Sequence, residues 1–136
     1  MDELVKAARS LSDPTRVRVL HLLMQRECCV CEVMDVLDIS QANASRYCSA
    51  LKEAGFLKMQ KDGRWKRYSV DLEHCSAPMR DLLEAVRKAA AGDVVALDDR
   101  RRLKSARRRS ELAEKASASQ PQTLVHNANH GERVCS

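Results

Sequence analysis

The chain has 136 residues and a net charge of +5, and only 3% of its residues are aromatic, with one Trp and one Phe. This length fits one domain, whose core must be built mainly from Leu, Val, Ala and Met, and that favours packed helices over a sheet-rich fold. The first ten residues lack the basic start and apolar run of an export signal, and no apolar run could span a bilayer. We therefore expect a cytoplasmic protein with no membrane partner.

The positive charge is concentrated in two segments. Residues 40–67 carry seven basic and two acidic side chains, and residues 98–115 carry eight basic and four acidic ones. The rest of the chain is therefore slightly acidic. A segregated basic surface indicates a polyanionic partner for the first segment. The second segment is better explained as a solvated, charged helix.

Helical signals come first along the chain. Asp13 is placed to cap a helix that begins at Pro14. A shorter helix is predicted over residues 30–37. A third helix has Ser40 as its expected N-cap and ends at Gly55. Its inward positions, at helical spacing, are Ala44, Cys48 and Leu51.

The sequence changes period after the third helix. Leu57 and Met59 alternate with lysines, and Asp62-Gly63 supplies a tight turn, which predicts a β-hairpin. Helix, turn, polar-faced helix and basic hairpin form the order of a winged helix-turn-helix, whose second helix reads the major groove while the wing contacts the backbone. The candidate DNA-binding residues are Gln41, Asn43, Ser45, Arg46 and Tyr47 in the helix and Lys61, Arg64 and Lys66 in the hairpin.

The stretch ECCVCEV, residues 27–33, places three thiols within four positions. In a chain without an export signal, closely spaced cysteines more often bind a metal or undergo redox chemistry than form structural bridges. Thiolates select soft, thiophilic ions. Free cysteines also occur as small buried hydrophobes, but that is a poor explanation for three together. The stretch therefore predicts a soft-ion site.

Four segments, SDPTRVRVLHLL, CVCEV, ISQANASRYCSALKEAGFL and KDGRWKRYSV, resemble in order and spacing the ArsR/SmtB family of bacterial metal-sensing repressors. The resemblance covers about residues 3 to 90, and CVC resembles the arsenic- and antimony-sensing branch. It implies a homodimer that binds double-stranded operator DNA and leaves it when trivalent arsenic or antimony binds cysteine thiolates. On that resemblance, Cys29 and Cys31 are the inducer ligands.

The resemblance also implies where the subunits meet. In the family, the first helix and the helix after the hairpin form the dimer interface, although packing on the subunit's own core is the alternative. The apolar positions in question are Leu4, Ala8 and Leu11 in the first helix and Met79, Leu82, Leu83 and Val86 in the later one.

The sequence departs from the family pattern at the third thiol. The usual third cysteine is replaced by Met34, and Cys28 stands beside the pair. We expect Cys28 to be the third ligand, since Cys28 and Cys31 would be i, i+3 neighbours on one helical face; a two-thiol site is the rival. On a regular helix Cys29 and Cys31 would point roughly 200° apart, so binding both predicts an unwound first turn before the recognition helix.

The remaining cysteines and other functions carry less weight. Cys48 is assigned to the core, while Cys75 and Cys135 are left without a role. A repressor of the same fold that senses cadmium, lead or thiol oxidation is the main alternative; the cadmium and lead sensors of the family add cysteines from an N-terminal extension, which is not evident here. An enzyme is not expected, because CSAPMRD, residues 75–81, lacks the spacing and glycine of an oxyanion loop.

The predicted architecture is a mainly α, dimeric winged helix-turn-helix with a small β-hairpin. Its DNA-binding and dimerisation domain spans residues 1–91. Residues 92–136 form a charged tail, partly helical and then disordered. Since no periodic apolar face is evident beyond residue 92, the tail is expected to contribute nothing to the core.

Overall fold

The computed structural model describes residues 1–63 and 65–118, and describes side chains in these ranges except at Asp62 and residues 107–118. The elements in chain order are α1 (Asp2–Ser10), α2 (Pro14–Gln25), β1 (Cys28–Cys29), α3 (Val30–Leu37), α4 (Gln41–Glu53), β2 (Leu57–Asp62), β3 (Trp65–Val70), α5 (Ala77–Ala91) and α6 (Val94–Ala118). Helices α3 and α4 form the helix-turn-helix, and β2 and β3 form the wing. The predicted order of helices and hairpin is confirmed.

Local capping fixes where the helices of the DNA-binding unit begin and end. The Asp13 carboxylate accepts hydrogen bonds from the Thr15 and Arg16 amides at 2.8 and 3.3 Å. The Ser40 hydroxyl accepts from the Asn43 amide at 3.1 Å. Gly55, with φ +98°, turns the chain after α4 in a conformation that glycine adopts without strain. The predicted caps are therefore confirmed.

The sheet has three antiparallel strands in the order β1-β3-β2. Strands β2 and β3 pair from Leu57↔Val70 to Asp62↔Trp65, which makes the wing hairpin. Strand β1 pairs with the other edge of β3, with Cys28 opposite Tyr68 and Cys29 opposite Arg67. This strand was not predicted, because two residues are too few to show the alternation of a strand.

Most core residues lie in the sheet and helices α2–α5, and α1 and α6 add further buried residues. The inward stripe predicted for α4 is confirmed, since Ala44, Cys48 and Leu51 are fully buried. On α5, Met79, Leu83 and Val86 are also buried within the subunit. These three side chains pack on their own core. The positions of the predicted dimer faces that keep exposed surface are Leu4, Ala8, Leu11 and Leu82.

Helix α6 contradicts the expectation that the segment after residue 92 contributes nothing to the core. Its buried residues, Ala96, Asp99, Leu103 and Ala106, recur at helical spacing and face α2 and α3. The stripe was not recognised in the sequence because one of its four residues, Asp99, is acidic and the neighbouring positions of the helix are charged. The division of the chain at residue 91 stays a prediction, and residues 119–136, including Cys135 and the predicted disorder, lie outside the described residues. No described helix is both long and apolar enough to cross a membrane.

Candidate thiol site and DNA-binding surface

Cys29 and Cys31 approach each other where β1 passes into α3. Cys29 is the N-cap of α3 and has an extended backbone, with φ −84° and ψ 164°, whereas Cys31 lies in the first helical turn. Their Cα atoms are 5.4 Å apart and their sulfurs are joined as a disulfide. The prediction that the two side chains point about 200° apart is wrong, because only Cys31 has helical geometry. The helix need not unwind for the sulfurs to meet.

This disulfide is not a structural staple. It closes a loop with one intervening residue, so it restrains almost nothing in the unfolded chain. Two thiols that meet in this way can instead serve as a bidentate donor for a soft ion or as a redox pair. The short loop between Cys29 and Cys31 therefore agrees with the sequence-based expectation that these cysteines are not a structural disulfide.

Glu32 and Arg26 fix the backbone beside the cysteine pair. The Glu32 carboxylate accepts a hydrogen bond from the Cys29 amide at 3.2 Å and pairs with the Arg26 guanidinium at 2.6 Å. Arg26 also donates to the carbonyl oxygen of Glu27 at 3.0 Å. The network ties the segment before β1 to the first turn of α3, so the position of Cys29 is set before any ligand arrives. Sequence reasoning missed Glu32, although an acidic residue three positions after an N-cap is the signature of a capping box.

Cys28 differs from the other two thiols in its surroundings. It is fully buried in the core, and its thiol donates to the carbonyl oxygen of Arg26 at 3.5 Å. Burial raises the pKa of Cys28 to about 12. The premise that Cys28 and Cys31 share a helical face is wrong, because Cys28 belongs to β1. Its role as a third ligand stays a prediction, and within the described residues no group of three or more His, Cys, Asp or Glu side chains could hold a metal ion.

The outer face of α4 carries a linked group of polar side chains. Arg46 is exposed, and its guanidinium donates to the Asn43 side-chain carbonyl and lies 5.9 Å from the centre of the Tyr47 ring. Gln41, Asn43, Ser45 and Tyr47 are half-buried at the start and middle of the same helix. Amide and guanidinium groups in a major groove can form bidentate hydrogen bonds to adenine and guanine. The arrangement is suited to reading base edges.

The wing carries a pair of facing lysines. Lys61 and Lys66 are directly opposite each other in the β2–β3 register, and Lys61 is exposed. Like charges in this position repel, so an anion between or beside them relieves an unfavourable contact. A DNA phosphate is such an anion. The third predicted wing residue, Arg64, lies outside the described residues.

Comparisons with known proteins agree with this geometry. Residues 13–58 match the profile described as bacterial regulatory protein, arsR family. The chain is 32% identical over 97 residues to a probable mercury resistance operon repressor from Streptomyces lividans, an alignment that covers 71% of this chain and 74% of that protein. The chain belongs to the ArsR family. The family consists of DNA-binding transcriptional regulators, not enzymes.

Two further relatives of this ArsR-family chain share smaller regions with it. It is 38% identical to a cadmium resistance regulatory protein CadC homolog from Staphylococcus aureus, over 53% of this chain and 60% of that protein. It is 37% identical to the arsenical resistance operon repressor of Escherichia coli, over 47% of this chain and 56% of that protein. The chain thus spans less than two thirds of either relative.

Solved structures support the same fold for the ArsR-family chain. The homodimeric winged helix-turn-helix domain of a possible ArsR-family regulator from Mycobacterium bovis aligns with a TM-score of 0.56 and 22% identity, covering 68% of this chain and 82% of that one. Reduced HlyU from Vibrio cholerae aligns with a TM-score of 0.56 and 19% identity, covering 66% and 90%. At these identities the structures establish the winged helix-turn-helix fold alone.

The other described cysteines of this ArsR-family chain are core residues. Cys48 is fully buried on the inward face of α4, and burial raises its pKa to about 12. Cys75 is buried before α5, where its thiol donates to the carbonyl oxygen of Gly55 at 3.8 Å. The assignment of Cys48 to the core is confirmed, and Cys75 has a packing position.

Proposed function

We propose that the chain is a cytoplasmic, metalloid-responsive repressor that binds operator DNA as a homodimer and is released when Cys29 and Cys31 bind trivalent arsenic or antimony. One observation carries the proposal: the two thiols meet at the junction of β1 and α3. Reduced, the pair offers two soft donors, which select thiophilic ions. The arsenical, cadmium and mercury resistance regulators among the relatives support an ion of this class.

The burial of Cys28 supports a site with two thiolates from the chain. As a third ligand, Cys28 would have to leave the core and lose a proton against a pKa of about 12. Cys31 is half-exposed in the first turn of α3, so it does not have to leave the core to bind an ion. Cys28 therefore remains a candidate whose contribution the experiment must measure.

On the DNA side, the proposal assigns base reading to α4 and phosphate binding to the wing. Arg46 with Gln41, Asn43, Ser45 and Tyr47 would face the major groove, and Lys61, Arg64 and Lys66 would bind the backbone. The homodimeric relative from Mycobacterium bovis supports a dimer, which implies a near-palindromic operator.

The test titrates protein bound to fluorescent operator DNA with arsenite, phenylarsine oxide, antimonyl tartrate, cadmium and zinc, and follows release by anisotropy. Phenylarsine oxide can bind only two thiolates, so release by it at concentrations similar to arsenite supports a two-thiol site. Cys29→Ser and Cys31→Ser should bind the operator normally and stay bound, whereas the control Cys75→Ser should respond like wild type. Release of Cys29→Ser at the wild-type arsenite concentration would place the inducer site elsewhere.

Cys28→Ser measures the third donor in the same assay. Loss of the arsenite response in this variant would show that arsenite release needs three thiolates. An unchanged response to phenylarsine oxide in the same variant would show that Cys29 and Cys31 still bind an arsenical. Cadmium release with no arsenite release would favour the alternative of a soft divalent metal, which the CadC relative supports.

A second candidate, oxidation sensing, is favoured by the direct contact of the two sulfurs. Hydrogen peroxide would oxidise Cys29 and Cys31 to a disulfide, with two electrons and two protons passing to the peroxide, which becomes two molecules of water. Release by peroxide that dithiothreitol reverses, together with no release by arsenite, would select this candidate.

A further inference from the structure

The proposed inducer pair joins two different parts of the DNA-binding unit. Cys29 belongs to β1 and is the register partner of Arg67 in the wing strand β3. Cys31 belongs to α3, the first helix of the helix-turn-helix. A ligand shared by these two thiols therefore bridges the wing sheet and the helical unit that carries the recognition helix.

The connection from Cys29 to the wing is short and direct. Strand β3 is the central strand, so β1 and the outer wing strand β2 are both hydrogen-bonded to it. Beside the Cys29–Arg67 pair, the Arg67 guanidinium lies 3.9 Å from the Glu27 carboxylate, which adds a second link between the segments. The residue next to Arg67 is Lys66, one of the proposed phosphate contacts. A change in the position of β1 thus reaches the DNA-binding lysines through one strand.

Packing in the core holds the helical side of the pair. The side chains of Val30, Val33 and Val36 on α3 are at most 1% exposed. Near its end, α3 is also contacted by α6, where the Arg102 guanidinium donates to the carbonyl oxygen of Val36 at 3.4 Å. Moving α3 would disturb this packing. Cys28 and Cys29 of β1 are buried as well, but β1 is only two residues long, lies at the edge of the sheet and is paired with β3.

We infer that Cys29 and Cys31 control operator affinity by shifting β1, and with it the wing, relative to the α3–α4 unit. The inference rests on the proposed function and names how that site acts: inducer-bound protein loses the phosphate contacts of the wing while α4 keeps its structure. Such a coupling requires only that the free and inducer-bound forms hold β3 differently.

The only tryptophan of the chain, Trp65, is the first residue of β3 and reports on the wing without DNA. Arsenite added to the free protein should shift the emission of Trp65, and the shift should be absent in Cys29→Ser. Equilibrium dialysis run in parallel counts bound arsenic. Stoichiometric arsenic binding with unchanged Trp65 emission would overturn the inference and leave the proposed function standing.

A second measurement compares how arsenite weakens operator binding in wing and control variants. In Lys61→Gln/Lys66→Gln, two phosphate contacts are already missing, so the salt slope should fall by about 0.9 per contact and the loss of affinity on adding arsenite should shrink by on the order of tenfold per subunit. The control Lys52→Gln, an exposed lysine on α4 outside the wing, should keep the full arsenite effect.

The outcomes separate the two claims. Failure of arsenite to bind or to release wild-type protein refutes the proposed function. Normal release with an undiminished arsenite effect in the wing variant, combined with a diminished effect in Arg46→Ala, overturns the wing inference and assigns the change to α4. Circular dichroism of each variant checks that it is folded. Folding is expected to be unchanged in the wing variant, because Lys61 and Lys66 lie outside the core.

Discussion

Asp99 of α6 pairs with Arg18 of α2 through two hydrogen bonds of 2.9 Å, and its side chain is 1% exposed. These hydrogen bonds connect α6 to α2, the helix that precedes the helix-turn-helix. Hydrogen bonding to Asp99 is also the main reason that the pKa of Arg18 is raised. A charge buried to this extent depends on its partner, so the pair makes α6 a part of the folded unit.

Asp99→Asn should destabilise the protein by on the order of 2–3 kcal/mol, because it leaves Arg18 without its counter-charge. This value lies at the low end of the cost of breaking a buried ion pair, since Arg18 is partly exposed. Urea unfolding followed by circular dichroism measures the loss. The control is Asp98→Asn, which removes a more exposed carboxylate from a 3.0 Å pair with Arg102 and should change stability by less than about 0.5 kcal/mol. Equal losses in both variants would contradict the role given to Asp99.

His21 should make the fold sensitive to acid. Burial, helped by nearby Arg100, lowers the pKa of His21 below its ordinary value, and its Nδ1 has no hydrogen-bond partner among the described residues. At acidic pH the folded state then binds fewer protons than the unfolded state. The contribution of neutral His21 to stability is therefore complete above the unfolded pKa of about 6.5 and is lost as the pH falls through the lowered folded pKa.

Urea unfolding midpoints measured from pH 7.5 down to pH 5 test this sign. His21→Gln should flatten the fall in stability below about pH 6.5, since it removes the group that must be protonated. His74→Gln is the matched control. Hydrogen bonding to Asp71 raises the pKa of exposed His74, so the contribution of His74 to stability is lost as the pH rises and not as it falls. A fall in stability that is as steep in His21→Gln as in wild type would exclude His21 as its cause.

Glu32→Ala should weaken the inducer response without weakening operator binding. The variant removes the acceptor of the Cys29 amide and the partner of Arg26, so Cys29 is no longer held in place, and loss of such a supporting group lowers ion affinity by about 10- to 100-fold. Arsenite titrations of the free protein and of the operator complex measure both quantities. Glu84→Ala, on the exposed face of α5, should behave like wild type, and a matching loss in that variant would show that the effect is not specific to the site.

Arg46→Ala and Lys61→Ala should impair DNA binding in different ways. Loss of the α4 guanidinium should weaken binding by about 1–3 kcal/mol and relax the preference for one base pair. Loss of the wing lysine should weaken binding to all sequences alike and lower the salt slope by about 1 per subunit. Binding to a panel of operator variants at several salt concentrations separates the two. Uniform loss in both variants would remove the distinction between reading helix and wing.

The parts of this structure that local chemistry determines were predictable from the sequence. The Asp13 and Ser40 caps and the turn at Asp62-Gly63 act over three or four residues, so their signals lie within the segments that they shape. The same holds for the inward stripe of α4, which repeats within one helix.

The parts that depend on distant residues were not predictable in this way. Cys29 is extended because β1 pairs with β3, and that pairing joins residues far apart in the chain. Burial of Asp99 depends on Arg18, which a hydrophobic pattern in α6 cannot reveal. Helical spacing applied to all three cysteines of the motif therefore gave wrong directions for two of them.

The position of Cys29 just before α3 has a consequence for how such sensors diversify. An N-cap residue contributes its side chain outside the helical ladder, so the donor atom at position 29 can be exchanged while the turn and α4 remain as they are. Ion selectivity and operator sequence can then evolve independently, each through substitutions in its own short segment. Transplanting residues 26–32 between relatives should carry the preferred ion with it and leave the recognised DNA unchanged.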